Sequence, residues 1–75
     1  MRIEDIVVGK EYKVIDTCLH ILDIGTLVKA TNKVESIVTN EEKFVKVLVT
    51  DEKSEYFDHI QIMDPKDLEE VEDND

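Results

Sequence analysis

The side chains best suited to chemistry in this 75-residue chain are one cysteine and two histidines, Cys18, His20 and His59. The two histidines are 39 residues apart, and neither has a Cys or a second His at the spacing of a zinc site. Cys18, followed by Leu19, is typical of a small buried hydrophobic residue rather than of a reactive thiol. The sequence therefore predicts neither a metal site nor a cysteine nucleophile.

Carboxylates are abundant, but none lies in an apolar stretch of the kind that keeps a catalytic acid protonated. Neither Ser36 nor Ser54 has a catalytic partner nearby in sequence. The two glycines, Gly9 and Gly25, stand alone and form no phosphate-binding loop. We therefore expect a protein that is not an enzyme and that holds no cofactor.

The charge is concentrated in the last third of the chain. The formal net charge is −10, from 19 acidic and 9 basic residues. Residues 1–50 hold 8 acidic and 7 basic groups, a net charge of −1, whereas residues 51–75 hold 11 acidic and 2 basic groups, a net charge of −9. This balance disfavours direct binding to nucleic acids or to anionic membranes and favours a basic protein as partner.

Length and composition indicate one small domain. A chain of 75 residues has room for one core, and we expect it to occupy residues 1–71, with 72–75 as an acidic, disordered tail. The single cysteine excludes an internal disulfide, which favours the cytoplasm. Residues 1–10 contain no continuous apolar run, so we expect neither a signal peptide nor a membrane anchor.

Turn residues and β-prone runs predict a mainly β fold. Strands are expected at residues 11–15, 26–31, 43–50, 55–58 and 68–71, with a hairpin joining the third and fourth. Asp64 and Pro65 predict a helical turn before the last strand, because Asp caps helices and Pro suits the first helical position. Residues 33–40 fit either a continuation of the second strand or a wide loop.

Three segments together resemble an SH3-like barrel: residues 8–14, residues 25–29, and Tyr56-Phe57 followed by residues 65–69. The resemblance implies a small five-stranded barrel with a short helical turn before the last strand. An oligonucleotide-binding type of barrel is the main alternative. The chain has no Trp, and its few aromatic residues do not supply the groove with which SH3 domains bind proline-rich peptides.

In size and acidity the chain also resembles the small proteins with which bacteriophages take over a host cell. These include DNA mimics and, among those of Bacillus phages, an inhibitor of the nucleoid protein HU. The resemblance implies a protein that occupies the DNA-binding cleft of dimeric HU and blocks its binding to DNA.

The acids of the last third are interleaved with apolar residues, so a folded face could hold them in fixed positions. Rows of such carboxylates would imitate a phosphate backbone. The candidate partner-binding residues are Asp51, Glu52, Glu55, Tyr56, Asp58, Ile60, Asp64, Asp67, Glu69 and Glu70. The alternative is an SH3-like structural or regulatory adaptor that binds through the apolar loop 19–24, with the acidic segment serving solubility.

Overall fold

Five short strands form one antiparallel sheet in a computed structural model that describes residues 1–16 and 22–71. The strands are β1 (Glu11–Val14), β2 (Leu27–Glu35), β3 (Glu42–Val49), β4 (Ile60–Met63) and β5 (Leu68–Glu70). Their order across the sheet is β4-β3-β2-β1-β5. Single turns of 3-10 helix, Ile3–Asp5 and Pro65–Asp67, precede β1 and β5. The mainly β fold predicted from the sequence is confirmed.

The longest runs of alternating burial define the two faces of the sheet. Val45, Val47 and Val49 of β3 are fully buried, whereas the intervening Lys46 and Leu48 are half-buried. Successive side chains of a strand point to opposite faces, so the valines mark the core face and Lys46 and Leu48 mark the outer face. The core face packs with the remaining buried apolar residues, Ile6, Tyr12, Val14, Leu22, Val28, Ala30, Met63 and Leu68.

The β2–β3 hairpin settles the two readings left open for residues 33–40. Residues 33–35 continue β2, and the chain then turns at 36–40. The Ser36 N–H donates to the Glu41 carbonyl at 2.8 Å, and Asn40 has a positive φ of 57°. Asn tolerates this left-handed conformation better than most residues, which is why the hairpin turns here.

The turn before the last strand forms as predicted. Pro65 occupies the first position of the 3-10 turn, and the Asp64 side chain accepts a hydrogen bond from the Lys66 N–H at 3.0 Å. This bond satisfies a backbone donor that the turn itself leaves free. The fixed turn then leads the chain directly into β5.

The predicted strand at residues 55–58 is wrong. The hairpin after β3 exists, but its second strand is β4, and residues 51–58 form successive turns. Asp58 has a φ of 69°, a left-handed conformation that no regular strand contains. The β-prone pair Tyr56-Phe57 is outweighed here by turn-forming side chains at Asp51 and Ser54.

Closure of the sheet into a barrel stays a prediction. β4 and β5 lie at opposite ends of the strand order, and within residues 1–16 and 22–71 they do not pair with each other. The interpretations of Cys18 and His20, and the expected tail at 72–75, lie outside the described residues. None of the described helical turns is long or apolar enough to cross a membrane.

Candidate protein-binding surface

The segment between β3 and β4, residues 51–58, carries the most exposed carboxylates of the predicted site, and we call it the acidic loop. Glu52, Glu55 and Asp58 are exposed, and Lys53 is the only cation among these eight residues. Four of the ten predicted partner-binding residues are acids of this loop. It is therefore the main candidate surface for a basic partner.

Asp51 fixes the start of the acidic loop to the sheet. One carboxylate oxygen, Oδ2, accepts from the Leu27 N–H of β2 at 3.4 Å, and the other, Oδ1, accepts from the Lys53 N–H at 3.0 Å. Asp51 is half-buried and both of its oxygens are engaged. Its main role in this structure is to position the loop rather than to meet a partner.

Ser54 and Tyr56 order the middle of the acidic loop. The Ser54 N–H donates to the Asp51 carbonyl at 3.0 Å, and the Ser54 hydroxyl oxygen accepts from the Tyr56 N–H at 3.1 Å. Tyr56 packs against the core, and its ring meets that of His59 edge to face, with centroids 6.0 Å apart. Glu55, which lies between Ser54 and Tyr56, is thus held on a hydrogen-bonded backbone, and the role of this segment as a recognition face stays a prediction.

Asp58 ends the acidic loop in a β-bulge. The Asp58 N–H donates to the Val49 carbonyl, and the Val49 N–H donates to the His59 carbonyl, each at 2.9 Å. Two residues of the loop therefore oppose one residue of β3, and the first of them has a positive φ, as in a G1 bulge. This position normally holds glycine, so the Asp58 carboxylate is retained at some cost in backbone strain.

A groove of about 400 Å³ lies between the acidic loop and the chain that leads into β2. Residues 23–26 line one side, and Asp51, Lys53, Ser54 and Glu55 line the other. The groove lining includes three acids, Asp23, Asp51 and Glu55, and one lysine, Lys53. Its negative balance suits the cationic end of a Lys or Arg side chain.

The other four predicted acids lie around the second 3-10 turn and β5, and they are less available. Asp67 is fully buried, which corrects its place in the predicted surface: as the last residue of the 3-10 turn it lies in the core. Asp64 is engaged in capping that turn. Glu69 and Glu70 form ion pairs at 3.0 Å with Lys13 and Lys10 of the neighbouring segment.

The ion pair between Glu70 and Lys10 also shifts the pKa of Lys10. The hydrogen bond and the negative charge of Glu70 raise the pKa of Lys10, against an opposing effect of desolvation.

Glu69 on β5 and Glu55 in the acidic loop were expected to belong to rows of free carboxylates. Because the charge of Glu69 is balanced by Lys13, the predicted carboxylates that are exposed and form no ion pair within the described residues are those of Glu52, Glu55 and Asp58.

Of the lysines that form no ion pair with a described residue, all but Lys53 lie outside the acidic loop. Within the described ranges, the ion pairs of Lys and Arg are Arg2–Glu4, Lys10–Glu70, Lys13–Glu69 and Lys66–Asp64. Four of the lysines outside these pairs lie on β2 and β3: Lys29, Lys33, Lys43 and Lys46. The molecule thus has a basic sheet region as well as an acidic loop, which the segment count alone did not predict.

The two predicted partner-binding residues that carry no charge, Tyr56 and Ile60, differ in their exposure. Ile60 of β4 is 59% exposed and points to the outer face, whereas Tyr56 contributes part of its ring to the core. Ile62, two residues beyond Ile60, is 51% exposed on the same face. Sequence reasoning missed Ile62 because the strand was placed at 55–58; alternation along 60–63 would have found it.

Groove residues Asp23 and Ile24 were also missed as binding candidates on the acidic side. They come close to residues 51–55 only through the sheet, and no local spacing in the sequence signals such a contact.

Among the described residues, no three His, Cys, Asp or Glu side chains converge as a metal site requires. The arrangement is suited to binding through charge and apolar contact.

No protein-family model, curated protein or solved structure matches the chain.

Proposed function

We propose that this chain is a non-enzymatic acidic protein that binds the DNA-binding surface of a basic host protein and blocks its access to DNA. The favoured partner is the nucleoid protein HU, and the source of such a protein would be a bacteriophage. The observation that carries the proposal is the acidic loop, whose exposed Glu52, Glu55 and Asp58 are held on an ordered backbone.

Ordered carboxylates matter because a DNA-binding surface displays Lys and Arg at positions that match phosphates. B-DNA carries one charge per about 1.7 Å of helix axis. Fixed carboxylates meet the same cations without the entropy loss of ordering a tail. The groove beside Glu55 would take one of these cationic side chains, and the exposed carboxylates would attract the others.

An adaptor remains the second candidate, and Ile24 favours it. Ile24 is 68% exposed at the groove, where an apolar partner side chain would bury it. Of the predicted adaptor loop, Leu22 is buried in the core, and residues 19–21 lie outside the described residues. Within the described residues, an adaptor would therefore depend on Ile24 and not on the acidic loop.

The test is capture of purified HU by the intact protein at about 0.1 M salt, where the Debye length is about 10 Å. Duplex DNA should displace the captured HU, and the Glu52→Lys/Glu55→Lys variant should weaken capture by about tenfold or more. A matched control is Glu41→Lys/Glu42→Lys, which makes the same change in net charge at exposed positions of the β2–β3 hairpin.

The control variant should capture HU nearly as well as the original protein. If both variants lost HU capture equally, net charge alone would explain the loss. That result would contradict a specific acidic surface. Failure to bind HU or any other DNA-binding protein, with loss of another partner on Ile24→Ser, would establish the adaptor instead.

A further inference from the structure

β4 is an edge strand whose free backbone groups can be identified from the bulge beside it. The Val49 N–H bonds to the His59 carbonyl, so residues 49 and 59 form a hydrogen-bonded pair. Such pairs alternate along an antiparallel ladder, and the next ones are Val47 with Gln61 and Val45 with Met63. The N–H and C=O groups of Ile60 and Ile62 consequently point away from β3.

The side chains of the same two residues are exposed on the outer face. Ile60 is 59% exposed and lies across from Leu48, and Ile62 is 51% exposed and lies across from Lys46. Two free donors, two free acceptors and two exposed apolar side chains therefore occupy one edge. An extended segment added here would gain backbone hydrogen bonds and apolar contact together.

The opposite edge of the sheet is protected and β4 is not. β5 has only three residues, and two of them are Glu69 and Glu70. Short edge strands with charged side chains are a common protection against pairing with another chain. β4, with the sequence Ile-Gln-Ile-Met, has no charge and no proline, and among the described residues no strand pairs with its outer edge.

We propose that the edge of β4 binds an extended segment of a basic protein, with uncharged residues at its centre and Lys or Arg at its two ends. This inference rests on the proposed function for the basic character of the partner and names how the partner is anchored. The segment would pair with Ile60 and Ile62 through its backbone and cover their side chains.

The charges around β4 determine this pattern. Exposed Asp58 lies just before the strand, and Asp64, whose Oδ2 has only a 4.0 Å ion pair with exposed Lys66, lies just after it. Both ends of the edge are therefore acidic. Lys46, which makes no ion pair with another described residue, lies beside Ile62 on the outer face and disfavours a cation at the centre.

The same charges argue against a second copy of this chain as the occupant. Antiparallel pairing of two β4 strands through Ile60 and Ile62 would place Asp58 of each copy near Asp64 of the other. Like charges opposite each other destabilise a strand pair, and each copy also carries a net charge of −10. A segment with basic ends would instead place a positive charge near both Asp58 and Asp64, so both contacts would be attractive.

The probe is a capped seven-residue peptide with lysine at each end and valine alternating with threonine between, titrated into the isotope-labelled full chain and followed by NMR. We expect saturable shifts and slower hydrogen exchange at the Ile60 and Ile62 amides. A matched peptide with glutamate at both ends should bind about fivefold more weakly or worse.

Two variants separate backbone pairing from general surface effects. Ile62→Pro removes an N–H that points outward and keeps the β3–β4 ladder, so it should weaken peptide binding by about tenfold while the protein stays folded. Ile62→Lys should weaken binding similarly, whereas Ile37→Lys, at a 98% exposed position of the β2–β3 turn, should not. If Ile62→Pro unfolds the chain, the comparison of Ile62→Lys with Ile37→Lys still tests whether the peptide binds at β4.

Peptide shifts confined to the acidic loop, equal binding of the two peptides, or no saturable binding would each overturn the inference. Shifts of the Ile60 and Ile62 amides on raising the protein concentration alone would assign the edge to a second copy and overturn it as well. If Glu52→Lys/Glu55→Lys abolished HU capture and the Ile62 variants did not change it, the edge of β4 would not bind the partner. The proposed function would still hold. Peptide binding at β4 without capture of a DNA-binding protein would support the edge site and contradict the proposed function.

Discussion

Asp58 combines an unfavourable backbone conformation with an exposed carboxylate at the end of the acidic loop. Its φ of 69° strains a residue with a Cβ by about 1–2 kcal/mol. Asp58→Gly removes that strain and should raise the free energy of unfolding by about 0.5–1 kcal/mol, even though glycine increases the entropy of the unfolded chain. Urea denaturation measures the change.

Glu52→Gly is the matched control for Asp58→Gly, because Glu52 is exposed in the same loop and has no positive φ. It should lower the free energy of unfolding by about 0.5–1 kcal/mol, since glycine there only adds unfolded-state entropy. Destabilisation by both substitutions would show that Asp58 is not strained. Stabilisation by Asp58→Gly together with weaker partner binding would indicate that the carboxylate is kept for recognition.

Asp51 shows the limit of residue types as a guide to function. As an acid in a strongly acidic segment, it was predicted to contact a partner. Its oxygens instead accept hydrogen bonds from the Leu27 and Lys53 backbone N–H groups. The contact with Lys53 follows from the tendency of Asp to bond two residues ahead in a turn. The contact with Leu27 depends on the sheet and has no local signal.

At the scale of single elements, β3 determines most of the core, and its two faces should differ in sensitivity to truncation. Val47→Ala on the core face should cost about 2–3 kcal/mol, because Val47 is fully buried and its removal leaves a cavity. Ile62→Ala on the outer face of neighbouring β4 removes more carbon atoms but should cost about 1 kcal/mol or less, because half of that side chain is already exposed. Thermal or urea denaturation of both variants checks the difference, and equal costs would contradict the assignment of faces.

Strand positions were predictable where local pattern and tertiary pairing agree. The runs at 11–15 and 43–50 contain alternating β-prone residues, and both became strands nearly as predicted. The helical turn at Pro65–Asp67 was predictable because Asp64 and Pro65 act locally. The position of β4 was not, because Tyr56-Phe57 and residues 60–63 have similar β propensity and only the bulge at Asp58 decides between them.

The candidate site was predictable in its charge and only partly in its geometry. Composition placed the exposed carboxylates in the last third of the chain, where Glu52 and Glu55 indeed lie exposed. Burial of Asp67 and the pairing of Glu69 with Lys13 depend on how β5 joins β1. Such contacts connect residues more than 50 positions apart in the chain, beyond the reach of local spacing.

At the scale of the whole molecule, four of the five lysines that form no ion pair within the described residues lie on β2 and β3, outside the acidic loop. The four ion pairs of Lys and Arg found among the described residues involve largely exposed side chains, and exposed pairs each contribute only about 0–1 kcal/mol. The acidic loop holds four acids and one lysine within eight residues. Repulsion among its carboxylates should therefore outweigh the stabilisation from the ion pairs.

That balance predicts that salt stabilises the folded protein. Raising NaCl from about 0.02 M to 0.5 M shortens the Debye length from about 20 Å to about 4 Å and screens repulsion across the acidic loop. The free energy of unfolding in urea should rise by an amount on the order of 1 kcal/mol. The Glu52→Gln/Glu55→Gln variant should gain less than the Glu41→Gln/Glu42→Gln control, which lowers the net charge equally outside the loop. A loss of stability with salt would mean that the exposed ion pairs dominate, and the acidic loop would then not be the main site of unbalanced charge.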